Sequence, residues 1–219
     1  MTSPESRTAT LRRWITPRNV TAVIGIVVLI AAVLSVRVVS IEDDQAGAPE
    51  SFDAIAFAEE NYSGAIEPYI AENAIDLAFL LAELEAGTDP GEFGNSSGSG
   101  NAHAFPVTFT AVAGEATPPV MPLTIEGVAD DVKVVLQIGP ALSGTAIRDV
   151  TGEIPFDQFT NQLEYQNVGT ELNNQVRSSV LTSLDAPSLT GKTILVTGAI
   201  LWGNPKFISV IPTAIEVLP

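Results

Sequence analysis

A chain of 219 residues has room for one ordinary domain and an appendage. It contains no cysteine, which excludes disulfides, thiol catalysis, thiolate metal sites and a lipid-modified cysteine. Residues 38–219 carry 25 Asp and Glu against only five Lys and Arg, a formal charge of −20 that repels phosphate backbones and excludes nucleic acid as a partner.

Residues 1–19 form a basic tail, with Arg7, Arg12, Arg13 and Arg18 against the single acid Glu5. Residues 20–39 read as a membrane anchor. The run VTAVIGIVVLIAAVLSV, 20–36, is free of charge, and 17 residues is the lower limit for crossing a hydrocarbon core of about 30 Å. Val38 and Val39 extend the span if Arg37 snorkels to the interface. The run exceeds the apolar core of a secretory signal, and no small-residue cleavage site follows it, so an uncleaved anchor is expected rather than a removed signal peptide. The basic flank places the amino terminus in the cytoplasm and the acidic body outside. Residues 40–51, an acidic linker with Gly and Pro, come next.

Residues 52–90 have helical periodicity. Ser51 or Asp53 offers a cap, and Ile55, Ala58, Tyr62 and Ile66 recur at three- and four-residue steps. Pro68 predicts a break or a kink. A second helix carries Ile70, Ile75, Leu77, Leu80, Leu81 and Leu84 and stops at Gly87. Residues 91–104 form a Gly/Ser-rich loop containing His103, the one histidine, so no Ser-His-Asp set is expected.

From Phe105 to the end the pattern is β. FPVTFTAVAG, VMPLTIEG and VKVVLQIG read as three strands, and TILVTGAILWG and KFISVIPTAIEV as two more joined by WGNPK. Between the two groups a helix is predicted from about Asp157, as its cap, to Leu184, with Tyr165, Val168, Leu172, Val176, Val180 and Leu184 as its apolar stripe. Three strands, a helix and two strands is the order of a five-stranded oligonucleotide/oligosaccharide-binding (OB) barrel. The predicted class is α+β: an amino-terminal transmembrane helix, a helical layer, then an OB-like barrel over 105–219 with a long helix between strands three and four. A small α+β sandwich is the alternative.

The third strand runs into QIGPALSGTAIRD, 137–149. Ser143, Gly144, Thr145, Arg148 and Asp149 gather hydroxyls, a flexible backbone and a five-donor guanidinium in one connection, and Arg148 is one of the few cations of the body. An amide-rich helix follows, and its first residues, Asn161 and Gln162, match the hydroxyls of a neutral small molecule such as a sugar. These seven residues are the candidate ligand site. The plainer readings are a connection pinned by an Arg-Asp ion pair and a solvated helix face. No catalytic set, metal-binding spacing or cofactor loop is present, so a non-enzyme without cofactors is expected; a carboxylate-dependent glycan hydrolase is an alternative.

The stretch LQIGPALSGTAIRDVTGEIPFDQFTNQLEYQNVGTELN, 136–173, resembles the signature of predicted periplasmic lipoproteins, domain of unknown function 2291. FDAIAFAEENYSGAIEPYIAENAIDLAFLLAEL upstream, and LTGKTILVTGAI and VIPTAIEV downstream, are also similar to that family. The resemblance implies an exported, membrane-held protein of no assigned activity. It also implies a link to sugar-uptake ABC transporters, whose permease or sugar-binding protein would be the partner. A scaffold or assembly role without a small ligand is the other alternative. The chain departs from the pattern in having the charge-free run in place of a lipid-modified cysteine.

Overall fold

A computed structural model describes residues 52–96 and 102–219. The basic tail, anchor and linker expected over 1–51 lie outside the described residues, as does 97–101 of the Gly/Ser-rich loop. No described helix is long and apolar enough to cross a membrane.

Phe52–Pro219 is one unit built on a closed barrel. Its strands are β2 (Ala104–Ala113), β3 (Val120–Ile125), β4 (Lys133–Gln137), β5 (Thr193–Leu201) and β6 (Phe207–Val217). Each agrees with a predicted strand to within a few residues. Around the barrel the order is β2-β3-β4-β6-β5, closed by β5 pairing back onto β2. The β4–β6 pair is parallel, and the others are antiparallel. A two-residue strand, β1 (Ile75–Asp76), lies parallel to β2 beside Val107 and Thr108. Closure removes the unpaired edges that would otherwise template aggregation.

Alternation builds the interior. Phe105, Val107, Phe109, Ala111 and Ala113 of β2 point inward with Met121, Leu123, Val134, Leu136, Val196 and Val210, and all are buried. Burying each larger side chain contributes about 1.5–3 kcal/mol. The β5–β6 register shifts between Thr197 and Gly198, where Thr213 is an extra residue in β6. A β-carbon at Gly198 would collide with the Ile211 carbonyl of β6, so the closest strand approach requires glycine there.

The helical layer runs α1 (Ala54–Asn61), a π-helical turn (Tyr62–Ile66) and α2 (Glu67–Asn73). Asp53 caps α1 by accepting from the Ile55 and Ala56 N–H groups. Of the break or kink expected at Pro68, the break does not occur. Pro68 sits in the first turn of α2, after the π turn, where its missing N–H is tolerated. The helical run ends at Ala74, whose extended backbone leads into β1 and then α3 (Leu77–Ala86). The second predicted helix is therefore split by a strand.

After β4 come α4 (Ala146–Asp149), a 3-10 turn (Phe156–Gln158) and α5 (Gln162–Val176), continued by a π turn (Arg177–Leu181). A second core joins α1 and α2 to α4 and α5. Ala58, Tyr62, Ile66 and Ile70 meet Ile147, Val168, Leu172 and Val176 there, with Ala199 and Ile211 from the barrel's outer surface. Of the predicted stripe, Leu184 joins the barrel core instead. Asn95 ties the second core to the barrel: its Nδ2 donates to Tyr69 Oη and the Val150 carbonyl, each at 2.9 Å, while its backbone bridges Ala104.

Candidate functional site: a cleft at the barrel mouth

Helix α3 begins with no residue between it and β1. Asp76 belongs to the strand and also caps the helix, accepting from the Phe79 N–H at 2.9 Å. Gly87 ends it in the left-handed region at φ 92°, and its N–H donates to the Glu83 and Leu84 carbonyls. One side of α3 seals the barrel, with Leu77 and Leu80 fully buried in the core. Ala78, Leu81, Ala82 and Glu85 recur at helical spacing on a neighbouring side and form one wall of a cleft.

Two connections supply the opposite wall. Between β3 and β4 stand Val128, Ala129 and Val132, and between β5 and β6 stand Trp202, Pro205 and Lys206. The first connection turns at Gly127, φ 85°, close enough to α3 that an added β-carbon would stand 3.3 Å from Ala78 Cβ. The second is fixed by the Trp202 N–H donating to the His103 carbonyl at 2.8 Å and by the Lys206 N–H donating to Asn204 Oδ1 at 3.0 Å. The enclosed volume is about 440 Å³, within the range of small-molecule sites. A more open depression of about 470 Å³ lies on the outer surface of β3 and β4 and shares Val128, Ala129 and Val132.

The cleft is apolar except at its lip. Lys206 Nζ lies 2.7 Å from Asp131 Oδ2. Their hydrogen bond holds the Asp131 carboxyl below its ordinary range and raises the Lys206 ammonium, which the Glu85 charge also raises. The ammonium is paired with Asp131, and Glu85 lines the same cleft.

The residues expected to form a site are placed elsewhere, beyond the opposite end of β4. Ser143 is held by Gln137: its N–H donates to Gln137 Oε1 at 2.8 Å, and Gln137 Nε2 donates to its carbonyl at 2.9 Å. Gly144 takes φ 94°, and its carbonyl accepts from Asn173 Nδ2 at 3.0 Å. Thr145 occupies the start of α4 without capping it through its side chain. Arg148 and Asp149 are buried together: Nε reaches Oδ1 at 2.7 Å and Nη2 reaches Oδ2 at 3.2 Å. Arg148 Nη1 donates to the Tyr165 carbonyl at 3.3 Å, and the guanidinium carbon stands 3.6 Å from the centre of the Tyr165 ring. Asn161 caps α5, accepting from the Glu164 N–H while Glu164 bonds back to Asn161 Nδ2 and the Thr160 N–H. Gln162 is exposed in the first turn. Gly144 meets α5 at Asn173, roughly 18 Å along the helix from Asn161, so the seven residues do not converge on one ligand-sized space.

Sequence reasoning missed the cleft. Its available signals were Trp202 in the WGNPK turn and an α3 with apolar residues on more sides than one barrel contact requires. Among the described residues, no group of three or more His, Asp or Glu stands close enough to hold a metal ion.

A closed five-stranded barrel with parallel first-group and second-group ends, and a helix between strands three and four of the barrel, defines the OB class. A crystal structure of an OB-fold protein from Thermotoga maritima is similar to this chain over 77% of its length and 100% of that protein's, with a TM-score of 0.63 and 17% identity. The family model described as "Predicted periplasmic lipoprotein (DUF2291)" matches residues 26–216, and the chain belongs to that family. No curated protein matches the sequence. Membership agrees with an extracytoplasmic, membrane-associated location.

Proposed function

We propose that this is a membrane-held, extracytoplasmic accessory protein of a sugar-type uptake system, non-enzymatic and working by binding at the barrel-mouth cleft. The observation that carries the reading is the cleft itself: about 440 Å³ of largely apolar space between α3 and two fixed connections. Its largely apolar lining supports binding, since a ligand's apolar body can be buried there. It does not suit a sugar directly, since a hydroxyl-rich ligand would leave most of its hydrogen bonds unmade against Leu, Val and Ala. The sugar link is therefore assigned to a permease or binding-protein partner and rests on the family resemblance.

The charge-free run 20–36 supports retention by a single membrane-spanning helix with the amino terminus inside. In intact spheroplasts, added protease is expected to digest the body beyond residue 40. Deleting residues 20–39 should release the remainder from carbonate-washed membranes. Protection of the body, or retention after the deletion, sinks the single-pass reading. For the uptake role, deletion of the whole chain should slow entry of the transported sugar, and unchanged entry would sink it.

A scaffold without a small ligand is the second reading. The observation favouring it is apolar exposure at Ile55 of α1, Phe156 of the 3-10 turn and Leu163 of α5. Co-purification with a membrane complex that is lost on changing these three to Ser, and kept when the cleft is filled, would select it.

A further inference from the structure

The lip of the cleft limits what its interior accepts. Glu85 lines the cleft directly, as does Lys206, but the Lys206 ammonium is engaged with Asp131 at 2.7 Å. Asp130 adds a further carboxylate next to Asp131 in sequence. The local balance is therefore negative, inside a body whose formal charge over residues 38–219 is −20. An anionic ligand would have to compete with Asp131 for Lys206 and enter against that field. A neutral apolar ligand would cover Glu85 without compensating it. A positive head meets Glu85 favourably, while Leu81, Leu84, Val128 and Val132 accept an apolar body. Trp202 contributes an aromatic ring, whose face attracts cations.

We propose that this cleft is a binding site for a small organic cation, an apolar body carrying one protonated amine, with Glu85 receiving the amine and α3, the β3–β4 connection and Trp202 enclosing the body. The proposal rests on the reading of the protein as one that binds at its cleft, and names the chemical class that enters.

The chain has two tryptophans, so Trp14→Phe leaves Trp202 as the sole indole reporter. The full-length Trp14→Phe protein, in phosphatidylcholine nanodiscs with empty discs as control, is titrated with phenylbutylamine, phenylbutanol and phenylbutyrate. These share one apolar body and differ in the charge of the head. The amine is expected to change Trp202 fluorescence saturably and to bind roughly two- to fivefold more tightly than the alcohol, as an exposed ion pair allows. The acid should bind more weakly than the alcohol, and the amine's advantage should shrink as salt rises. Glu85→Gln should bring amine and alcohol level. Ala82→Phe, and separately Ala129→Phe, should fill the cleft and remove the response while the far-ultraviolet circular dichroism melt stays in place; both positions are exposed, so either variant alone serves.

If the alcohol binds as well as the amine, or the preference survives Glu85→Gln, the cationic assignment is overturned although the cleft still binds. If none of the three probes binds saturably, or binding persists in both filled variants, the cleft is not the site and the proposal is overturned entirely. Membrane retention and sugar entry, measured separately, then decide the broader reading.

Discussion

Arg148 illustrates what a single residue reveals and conceals. Its scarcity in an acidic body was visible in the sequence, and so was Asp149 beside it. What closes around the pair was not visible, because Tyr165 lies 17 residues further on and meets the guanidinium only when α4 packs on α5. Removing one member of a buried ion pair leaves the other uncompensated, so Asp149→Ala should lower unfolding free energy by about 3–5 kcal/mol in urea titrations. The double change Arg148→Met with Asp149→Leu should cost less than that single change, since no buried charge remains. A double variant less stable than the single one would show that the pair contributes net stability. Tyr62 is a second buried polar residue, and among the described residues its hydroxyl has no hydrogen-bond partner. Burial pushes its phenol up to about 12, and the Glu67 charge adds to the rise. An acid with a raised folded pKa favours the native state while it stays neutral. Stability should therefore fall as pH climbs from about 10 towards 12, by roughly 2–3 kcal/mol in all. Tyr62→Phe should be near neutral at pH 7 and should flatten that alkaline slope. An unchanged slope would assign it to other groups.

At the scale of elements, the strands were legible and several helix ends were not. Alternating Val, Ile, Thr and Phe, bounded by Gly and Pro, marks each of the five barrel strands because inward and outward side chains differ in burial. Helix α5 was expected to start near Asp157, where a Pro-Phe-Asp sequence suggests a cap. Asp157 instead lies in a 3-10 turn, and the helix starts about one turn later, where Asn161 Oδ1 accepts from the Glu164 N–H and the Glu164 carboxylate accepts from the Thr160 N–H and Asn161 Nδ2. Asn161→Ala should cost about 1 kcal/mol by thermal or urea unfolding and leave binding at the cleft untouched. Loss of cleft binding in that variant would mean that α5 and the cleft are coupled. The division of the second predicted helix by β1 escaped the sequence because Ile75 continues an apolar periodicity; only pairing with Val107 makes it a strand.

On the scale of the molecule, composition spoke more clearly than any motif. Lack of cysteine leaves closure and packing as the source of stability, and both are present in a barrel that pairs β2 with β5 over nine residue positions. The acidic excess acts on the folded body as self-repulsion, which dissolved salt screens within roughly 10 Å at 0.1 M. The melting temperature should therefore rise when sodium chloride is raised from low concentration, and a fall would show that favourable ion pairs outweigh the repulsion. The candidate site was less legible than the fold. The glycine- and hydroxyl-bearing connection after β4 attracts notice as sequence, yet its hydrogen bonds are made internally to Gln137 and Asn173. The cleft is assembled from three segments spread between Ala78 and Lys206, and no local pattern announces it.

Helix α3 has two occupations. Leu77 and Leu80 act as a stopper for the barrel, while Ala78, Leu81 and Glu85, one step around the same cylinder, touch whatever sits outside. A guest gripping that outer side would hold the stopper in place and make loosening of the barrel at that mouth rarer in proportion to its occupancy. Occupancy would then be recorded far from the point of contact, as slower amide exchange along β2 and β5.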